Sequence, residues 1–203
     1  MQRKSRRRRR KHNIQEFTFR NKRISFNKKA FFKEVLNWTL LIFVAVIVGY
    51  SIVTFLFQTV TVVGPSMENT LKDGQVVVVN KIEYKFKDVK RYDIIAYSQV
   101  DSDEYYEIKR VIGLPEETVL IDDGCIFING EQLTDVPFDD KILTAGIAGK
   151  EIVLSEDEYF VLGDNVNNSE DSRYSNVGNI TSQEILGKVV YIYSPKEYRG
   201  KVK

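Results

Sequence analysis

The feature that most constrains this chain is an uninterrupted apolar segment, Leu36–Phe57, which reads LNWTLLIFVAVIVGYSIVTFLF. Its 22 residues include no charged side chain. A helix of this length rises about 33 Å, enough to cross a hydrocarbon core of about 30 Å. The apolar region of a cleaved signal peptide is shorter, about 7–15 residues, and ends in a small-x-small site that is missing here. A buried helix of a soluble protein is the other alternative, and so long an uncharged run disfavours it. We predict an uncleaved transmembrane signal-anchor helix over residues 36–57.

The charge of the chain differs sharply on the two sides of this segment. Residues 1–35 hold 14 Lys/Arg and two acids, whereas residues 36–203 hold 16 Lys/Arg and 26 acids. The positive-inside rule therefore predicts a basic cytoplasmic tail over 1–35 and an extracytoplasmic domain over 58–203. The run RKSRRRRRKH could bind nucleic acid, but beside a membrane span its simpler role is contact with anionic lipid head groups. We predict a single-pass cell-membrane protein whose partners include membrane lipids and no nucleic acid.

Beyond residue 57 the sequence is typical of a β-rich domain. Short runs of β-branched and aromatic residues alternate with turn signals. These runs are TVTVV, QVVVVN, YDIIAYS, YYEIKRVIGL, TVLID, CIFING, EYFVLGDN and GKVVYIYS. The Asn129–Gly130 pair predicts a tight hairpin.

The pattern of strand-like runs changes between about 123 and 157, where a hairpin, an acidic turn and a loop follow one another. The runs before it (75–122) and after it (158–193) are expected to share one sheet. We predict a mostly-β fold, in which one transmembrane helix precedes an antiparallel β-sheet catalytic domain with a small inserted cap at about 123–157.

The residue types available outside the membrane narrow the chemistry. The chain's single histidine, His12, lies in the basic tail, so a Ser-His-Asp arrangement in the outer domain is excluded. There is one cysteine, Cys125, no His/Cys cluster and no glycine-rich phosphate loop, so we expect no metal and no cofactor. A serine hydrolase would have to rely on a lysine as its base.

Two residues fit such a pair. Ser66 follows the apolar segment in GPSMENTL, and Lys109 lies in YYEIKRVIGLP among aromatic and apolar neighbours. Lysine has an ordinary pKa near 10.4, and burial against apolar groups favours its neutral form; a shift of about two pKa units costs about 2.7 kcal/mol. The run GDNVNNSEDSR could support such a site, although its residues alone equally fit a surface loop.

Taken together, these segments resemble the bacterial type I signal peptidases, of the Gram-positive kind with a single N-terminal span. The resemblance covers nearly the whole chain in order: the basic tail and span, GPSMENTLKDG, RYDIIAY, KRVIGLP and GDNVNNSEDSR. It implies a membrane-bound serine endopeptidase, signal peptidase I, that removes N-terminal signal peptides after small residues (an Ala-x-Ala site). The implied partners are secretory precursor proteins and the protein-export channel.

The resemblance also implies roles for individual residues. Ser66 is the nucleophile, and Lys109 is the general base that then protonates the leaving amine. The main-chain N–H of Ser66 binds the oxyanion, with Gly64 at the position where some relatives add a serine hydroxyl. Met67 and Gly163 shape the site. The supporting residues comprise a serine that orients the lysine and two acid–arginine pairs: Ser169, Asp171, Arg173, Asp164 and Arg110.

The chain departs from the family pattern at three turns. Asn69 stands where proline is usual, Tyr92 where glycine is usual, and Glu116–Glu117 where glycine and aspartate are usual. We interpret these positions as structural, so the departures bear on efficiency more than on the chemistry.

Two other functions remain open at this point. One is a signal-peptidase-like accessory factor for surface-fibre (pilus) assembly, with restricted or no proteolytic activity. The presence of both Ser66 and Lys109 argues against it. The other is a self-cleaving Ser/Lys domain, as in SOS-response repressors, which the membrane span and the lack of a DNA-binding domain disfavour.

Overall fold

The structure is a computed structural model that describes residues 27–98, 105–138 and 140–202. Residues 1–26 of the predicted basic tail, including His12, therefore lie outside the described residues. The described chain divides into two units between Val46 and Ile47.

A single long helix, α1 (Lys28–Leu56), contains the predicted membrane span. The Asn27 side chain caps it by accepting a hydrogen bond from the Ala30 N–H (3.3 Å). None of its 29 residues is buried, although almost all of those after Leu36 are apolar. Among the described residues it is the one helix long and apolar enough to cross a membrane. The helix begins before the uncharged run and ends one residue earlier than predicted, because Phe57 is already the first residue of a strand.

The rest of the described chain is mostly antiparallel β-structure, as predicted from the sequence. One short helix, α2 (Glu83–Phe86), and two 3₁₀ turns (Gly146–Gly149 and Lys196–Tyr198) interrupt it. The twelve strands are β1 (Phe57–Thr61), β2 (Val76–Asn80), β3 (Ile94–Tyr97), β4 (Glu107–Gly113), β5 (Thr118–Asp122), β6 (Cys125–Ile128), β7 (Glu131–Gln132), β8 (Ile152–Val153), β9 (Glu158–Leu162), β10 (Ile180–Thr181), β11 (Ile185–Ser194) and β12 (Gly200–Lys201).

These strands form two sheets. The main sheet has the order β1-β2-β11-β3-β4-β9-β10, with β12 paired to β11, and the small sheet has the order β7-β6-β5-β8. Every pairing is antiparallel. Three of the four strands of the small sheet, β6, β7 and β8, lie within residues 123–157, for which the cap was predicted, and the cap itself stays a prediction. The β6–β7 hairpin turns at Asn129 (φ 53°) and Gly130 (φ 80°), which confirms the tight hairpin predicted there.

One strand was assigned to the wrong sheet. We expected β5 in the main sheet, but it pairs with β6 and β8 in the small one. The reason lies in the two residues that follow it: Asp123 (φ 45°) and Gly124 (φ 74°) both have positive φ and fold the chain straight back into β6. A local hairpin of this kind outcompetes pairing with a strand that is distant in sequence.

Strand β4 lies at the centre of the main sheet, between β3 and β9. All of its residues after Glu107 are buried. The reason is that apolar clusters cover both of its faces: Ile108 and Ile112 belong to clusters that do not contain Val111. A lysine or arginine on this strand is therefore held away from bulk water.

Candidate active site

Ser66 lies in the loop between β1 and β2, which is held at both of its ends. The Gly64 N–H donates to Asp73 Oδ1 (2.8 Å), and Gly64 has a φ of 80°, which glycine adopts at little cost. Met67 is fully buried and anchors the loop in the core. Ser66 itself is half-buried, so its hydroxyl remains accessible from one side.

Lys109 projects from β4 toward this loop. It is 4% exposed, and its Nζ lies 3.3 Å from Ser66 Oγ. The fold thus brings together two side chains that are 43 residues apart in sequence. A hydroxyl in hydrogen-bond contact with a lysine amine is the arrangement that a Ser/Lys hydrolase requires.

A carboxylate that sequence reasoning did not single out also contacts this lysine. Glu107 Oε2 accepts hydrogen bonds from Lys109 Nζ (3.1 Å) and from the Tyr97 hydroxyl (3.0 Å). Burial, and then the charge of Glu107, raise the pKa of Tyr97. The sequence did carry a signal for Glu107, since residues two apart on a strand point to the same face of the sheet.

Asp164 and Arg110 form a buried ion pair behind the serine loop. Arg110 donates from Nε to Oδ1 and from Nη2 to Oδ2, both at 2.7 Å, in the two-pronged geometry that makes such pairs strong. Thr70 Oγ1 donates to Asp164 Oδ2 (2.5 Å). The pair therefore ties β4 and the segment after β9 to the loop that holds Ser66.

Asp171 and Arg173 form a second buried pair, as the resemblance implied. Arg173 donates from Nε (2.8 Å) and Nη2 (2.9 Å) to the two carboxylate oxygens. Asp171 Oδ2 also accepts the Gly163 N–H (3.1 Å), and Arg173 reaches the carbonyl oxygens of Val166 (2.5 Å) and Thr144 (3.2 Å). This network fixes the run GDNVNNSEDSR as a rigid wall rather than a solvated loop.

That wall is bonded directly to the serine loop through Asn165, another residue that sequence reasoning missed. Its main-chain N–H donates to the Ser66 carbonyl (2.9 Å), and its Nδ2 donates to the Pro65 carbonyl (3.2 Å). Both bonds restrain the backbone of Ser66.

Ser169 lies in the same wall, but the structure does not bond it to the lysine. It is 8% exposed, and its Oγ has no hydrogen-bond partner among the described residues. Lys109 Nζ is bonded instead to Ser66 and Glu107. The orienting role that the resemblance implies for Ser169 therefore stays a prediction.

The main-chain N–H of Ser66 is free to donate a hydrogen bond. Pro65 has no N–H, and the N–H of Gly64 is used by Asp73. Within the described part of the chain, the N–H of Ser66 donates no hydrogen bond. It is available to an incoming oxygen.

A cleft of about 350 Å³ opens over Ser66 and Lys109. The loop residues 62–67 line one part of it, and residues 105–109, which lead into β4, line another. Glu107 and Glu170 are the two acids in its lining, together with Asn168. The cleft is therefore mostly apolar on the serine-loop side, and its carboxylates lie in the other parts of the lining.

Known proteins of one family are similar to this chain. The family model described as "Signal peptidase, peptidase S26" matches residues 35–194. "Signal peptidase I P" of Bacillus subtilis subsp. natto is 34% identical over 186 residues, which cover 88% of this chain and 97% of that protein. "Signal peptidase IB" of Staphylococcus aureus (strain COL) is 31% identical and covers 80% of this chain and 91% of that protein. A crystal structure of a signal peptidase I from Enterococcus faecalis V583 is 32% identical, with a TM-score of 0.39, and covers 51% of this chain and 97% of that one.

Proposed function

The chain belongs to the signal peptidase family S26 and is a signal peptidase that acts on secretory precursors, and from that premise we propose that it is a Ser/Lys endopeptidase in which Ser66 is the nucleophile and Lys109 the general base. The observation that carries the proposal is the 3.3 Å contact between Ser66 Oγ and Lys109 Nζ on a buried strand. No other acid–base group contacts the Ser66 hydroxyl among the described residues.

The reaction follows from this geometry. Lys109 Nζ takes the proton from Ser66 Oγ as the oxygen attacks the scissile carbonyl, and the resulting oxyanion accepts a hydrogen bond from the Ser66 N–H. Lys109 then gives its proton to the leaving amine, and the C–N bond breaks to leave an ester on Ser66. A water molecule that Lys109 deprotonates hydrolyses this ester and regenerates the serine. One base serves both half-reactions, so no histidine is required.

The supporting residues act by holding these two groups in place. The Asp164–Arg110 pair fixes β4 against the serine loop through Thr70, and the Asp171–Arg173 pair fixes the wall that carries Asn165. Restraint of this kind matters because a misplacement of about 1 Å can cost about 10²-fold in rate.

The substrate is proposed to lie extended in the cleft, between the serine loop and the start of β4. Its backbone would add to exposed strand edges, as in other peptide-binding sheets. The small residues immediately before the cut and two positions further upstream suit the narrow apolar part of the lining.

The membrane arrangement is also proposed. Helix α1 spans the bilayer, the basic tail stays in the cytoplasm with anionic lipids, and the domain from residue 58 onward faces outward. Ser66 follows the last helical residue, Leu56, by ten positions, which keeps the reacting group close to the bilayer. A precursor emerging from the protein-export channel presents its cleavage site at that level.

Cleavage of a secretory precursor with an Ala-x-Ala site tests the proposal. Purified full-length protein in detergent is incubated with the precursor, and mass spectrometry locates the new N-terminus. We expect wild type to cut directly after the second alanine and Ser66→Ala to cut nowhere. A precursor with phenylalanine in place of that alanine serves as the specificity control. Equal cleavage by Ser66→Ala, or equal cleavage of the phenylalanine precursor, would contradict the proposal.

A further inference from the structure

Glu107 occupies an unusual place for a carboxylate, between a buried lysine and the substrate cleft. Its Oε2 is 3.1 Å from Lys109 Nζ, and the side chains of the two residues are 43% and 5% exposed. Lys109 is thus shielded from water, whereas Glu107 reaches both the amine and the open cleft. An incoming substrate that occupies the cleft must meet this carboxylate.

The ion pair opposes the proposed chemistry in the empty site. A carboxylate at about 3 Å stabilises the protonated form of a lysine, because opposite charges favour the charged state. A protonated amine cannot accept the proton of Ser66, although it can hold the 3.3 Å contact with its oxygen. The pair must separate, or lose its charge, before the nucleophile is activated.

Among the described residues, no other cation contacts Glu107. Across the described residues, the side-chain donors to Glu107 are Lys109 and the neutral Tyr97 hydroxyl. Glu170, the other carboxylate of the cleft, adds negative charge to the same space. The substrate can supply a cation that pairs with Glu107 in place of Lys109. A positive side chain beside Glu107 would form this pair and would also disfavour a second positive charge on Lys109.

We propose that Glu107 is a specificity-determining residue that favours precursors with a lysine or arginine close to the scissile bond, and that this basic side chain pairs with Glu107 and frees Lys109 to act as the base. The inference rests on the Ser/Lys mechanism proposed above. The buried Ser169 hydroxyl, which has no partner among the described residues, is available to accept a hydrogen bond from Lys109 once Glu107 has turned away.

Among the described residues, the other titratable groups near the pair lie on β3 and in the lining of the cleft, which includes Tyr105 and Tyr106. Tyr97 on β3 faces Glu107, and Glu170 faces the cleft. Asp171 and Glu184 contribute their charge to the surroundings of Tyr97.

The test compares kcat/KM for the cleavage of matched peptides by the full-length protein. Each peptide carries the Ala-x-Ala site, and each flanking position in turn, apart from the two alanines, holds lysine, glutamine or glutamate. At one or more positions, we expect the lysine peptide to give a kcat/KM about tenfold higher than the glutamine peptide at pH 7. This factor corresponds to a shift of about one pH unit in the pH profile. The glutamate peptide is expected to give a lower kcat/KM still. Because this comparison uses wild type alone, it does not depend on whether a variant folds.

Two isosteric variants locate the effect. Glu107→Gln keeps the shape of the side chain and its contact with Tyr97, and we expect it to abolish the preference for lysine. We also expect it to raise kcat/KM for the glutamine peptide at pH 7, because Lys109 then no longer pairs with a carboxylate. Glu170→Gln removes the same charge from the same cleft without touching Lys109, and we expect it to keep the preference for lysine.

The outcomes separate the inference from the proposed function. Cleavage of no peptide by wild type would overturn both. Cleavage with equal kcat/KM for lysine and glutamine at every position would overturn the inference and leave the Ser/Lys mechanism standing. Loss of the lysine preference to the same extent in Glu107→Gln and Glu170→Gln would also overturn it, since general cleft charge rather than the Glu107–Lys109 pair would then set the preference.

Discussion

At the scale of single residues, Gly163 occupies a point where the serine loop and the supporting wall touch. A Cβ added there would collide with Ser169 Oγ and with the carbonyl oxygen of Ser66. The second of these atoms is backbone and cannot rotate away. Any side chain at this position must therefore move the main chain of Ser66.

We predict that Gly163→Ala lowers kcat/KM for an Ala-x-Ala precursor by at least about 10²-fold, because it displaces Ser66 relative to Lys109. Gly149→Ala is the matched control, since its Cβ would lie 3.5 Å from the Ala145 Cβ, an ordinary contact. Steady-state cleavage rates of the three proteins give the comparison. Equal rates for Gly163→Ala and wild type would show that the backbone at Ser66 is not held as described.

The sequence predicted part of this site. Ser66 and Lys109 were found from their motifs and do lie in contact, and the two acid–arginine pairs are present and buried. Glu107 and Asn165 were missed because their importance comes from what the fold places next to them. A motif gives residue types in order along the chain, whereas the contacts of a side chain depend on strands that pair far apart in sequence.

At the scale of secondary-structure elements, the departures from the family pattern fall at strained turns. Asn69 (φ 90°), Tyr92 (φ 71°) and Glu116 (φ 65°) all have positive φ, a conformation costing a residue with a Cβ about 1–2 kcal/mol. Glycine, usual in the family at Tyr92 and Glu116, adopts it freely. Glu117 keeps its turn in place by other means, since it accepts the N–H of Leu114 (2.8 Å) and pairs with Arg91 (2.6 Å).

We predict that Glu116→Gly stabilises the protein by about 1 kcal/mol, because the exposed Glu116 side chain loses no packing while the strain disappears. A gain of that size raises Tm by about 2–4 °C for a chain of this length. Thermal unfolding in detergent measures it. Tyr92→Gly is the informative comparison, because Tyr92 packs against the apolar core and its loss offsets the gain. An unchanged or lower Tm for Glu116→Gly would contradict the strain.

How well the strands could be predicted depended on their length. Runs of four residues or more with β-branched and aromatic side chains, such as β2, β5 and β9, could be recognised from the sequence. The two-residue strands β7, β8, β10 and β12 carry too few positions for any alternation to show. The partner of β5 was mispredicted because strand pairing is decided by turn geometry as much as by apolar pattern.

At the scale of the whole molecule, buried tyrosines set an upper limit to the pH range. Burial raises the pKa of Tyr84 and of Tyr97 above the ordinary value near 10, and neighbouring carboxylates, Asp93 and Glu107, raise both further. The folded state then holds these protons more tightly than the unfolded state. Their stabilisation is complete below pH 10 and is lost as the pH rises above it.

We therefore predict a Tm that changes little between pH 8 and 10 and falls at higher pH, with a loss of about 1.4 kcal/mol per pH unit for each such tyrosine. Thermal scans of the full-length protein in detergent measure the curve. Tyr84→Phe removes one titrating group outside the active site and should make the fall less steep. A flat curve to pH 11.5, or an identical slope in Tyr84→Phe, would contradict this assignment.

The orientation in the membrane is a second prediction at this scale. In a Cys125→Ser background, we expect a membrane-impermeant maleimide to label Glu68→Cys on intact cells, because Glu68 is exposed on the domain that we propose faces outward. Gln2→Cys in the basic tail should react only after the membrane is permeabilised. Labelling in the reverse order would invert the proposed topology. The span itself was readable from the sequence because twenty uncharged residues in a row have few other uses.

Chemical rescue of the lysine amine tests the central claim, that Lys109 is the base for Ser66, most directly. In the Cys125→Ser background, Lys109→Cys should lose about 10²–10⁴-fold in precursor cleavage. Alkylation with 2-bromoethylamine rebuilds an amine on a side chain of lysine length, and we predict that it restores cleavage. Iodoacetamide adds a neutral amide instead, and we predict that it does not restore cleavage. Full activity of unmodified Lys109→Cys, or equal activity after either reagent, would contradict the account.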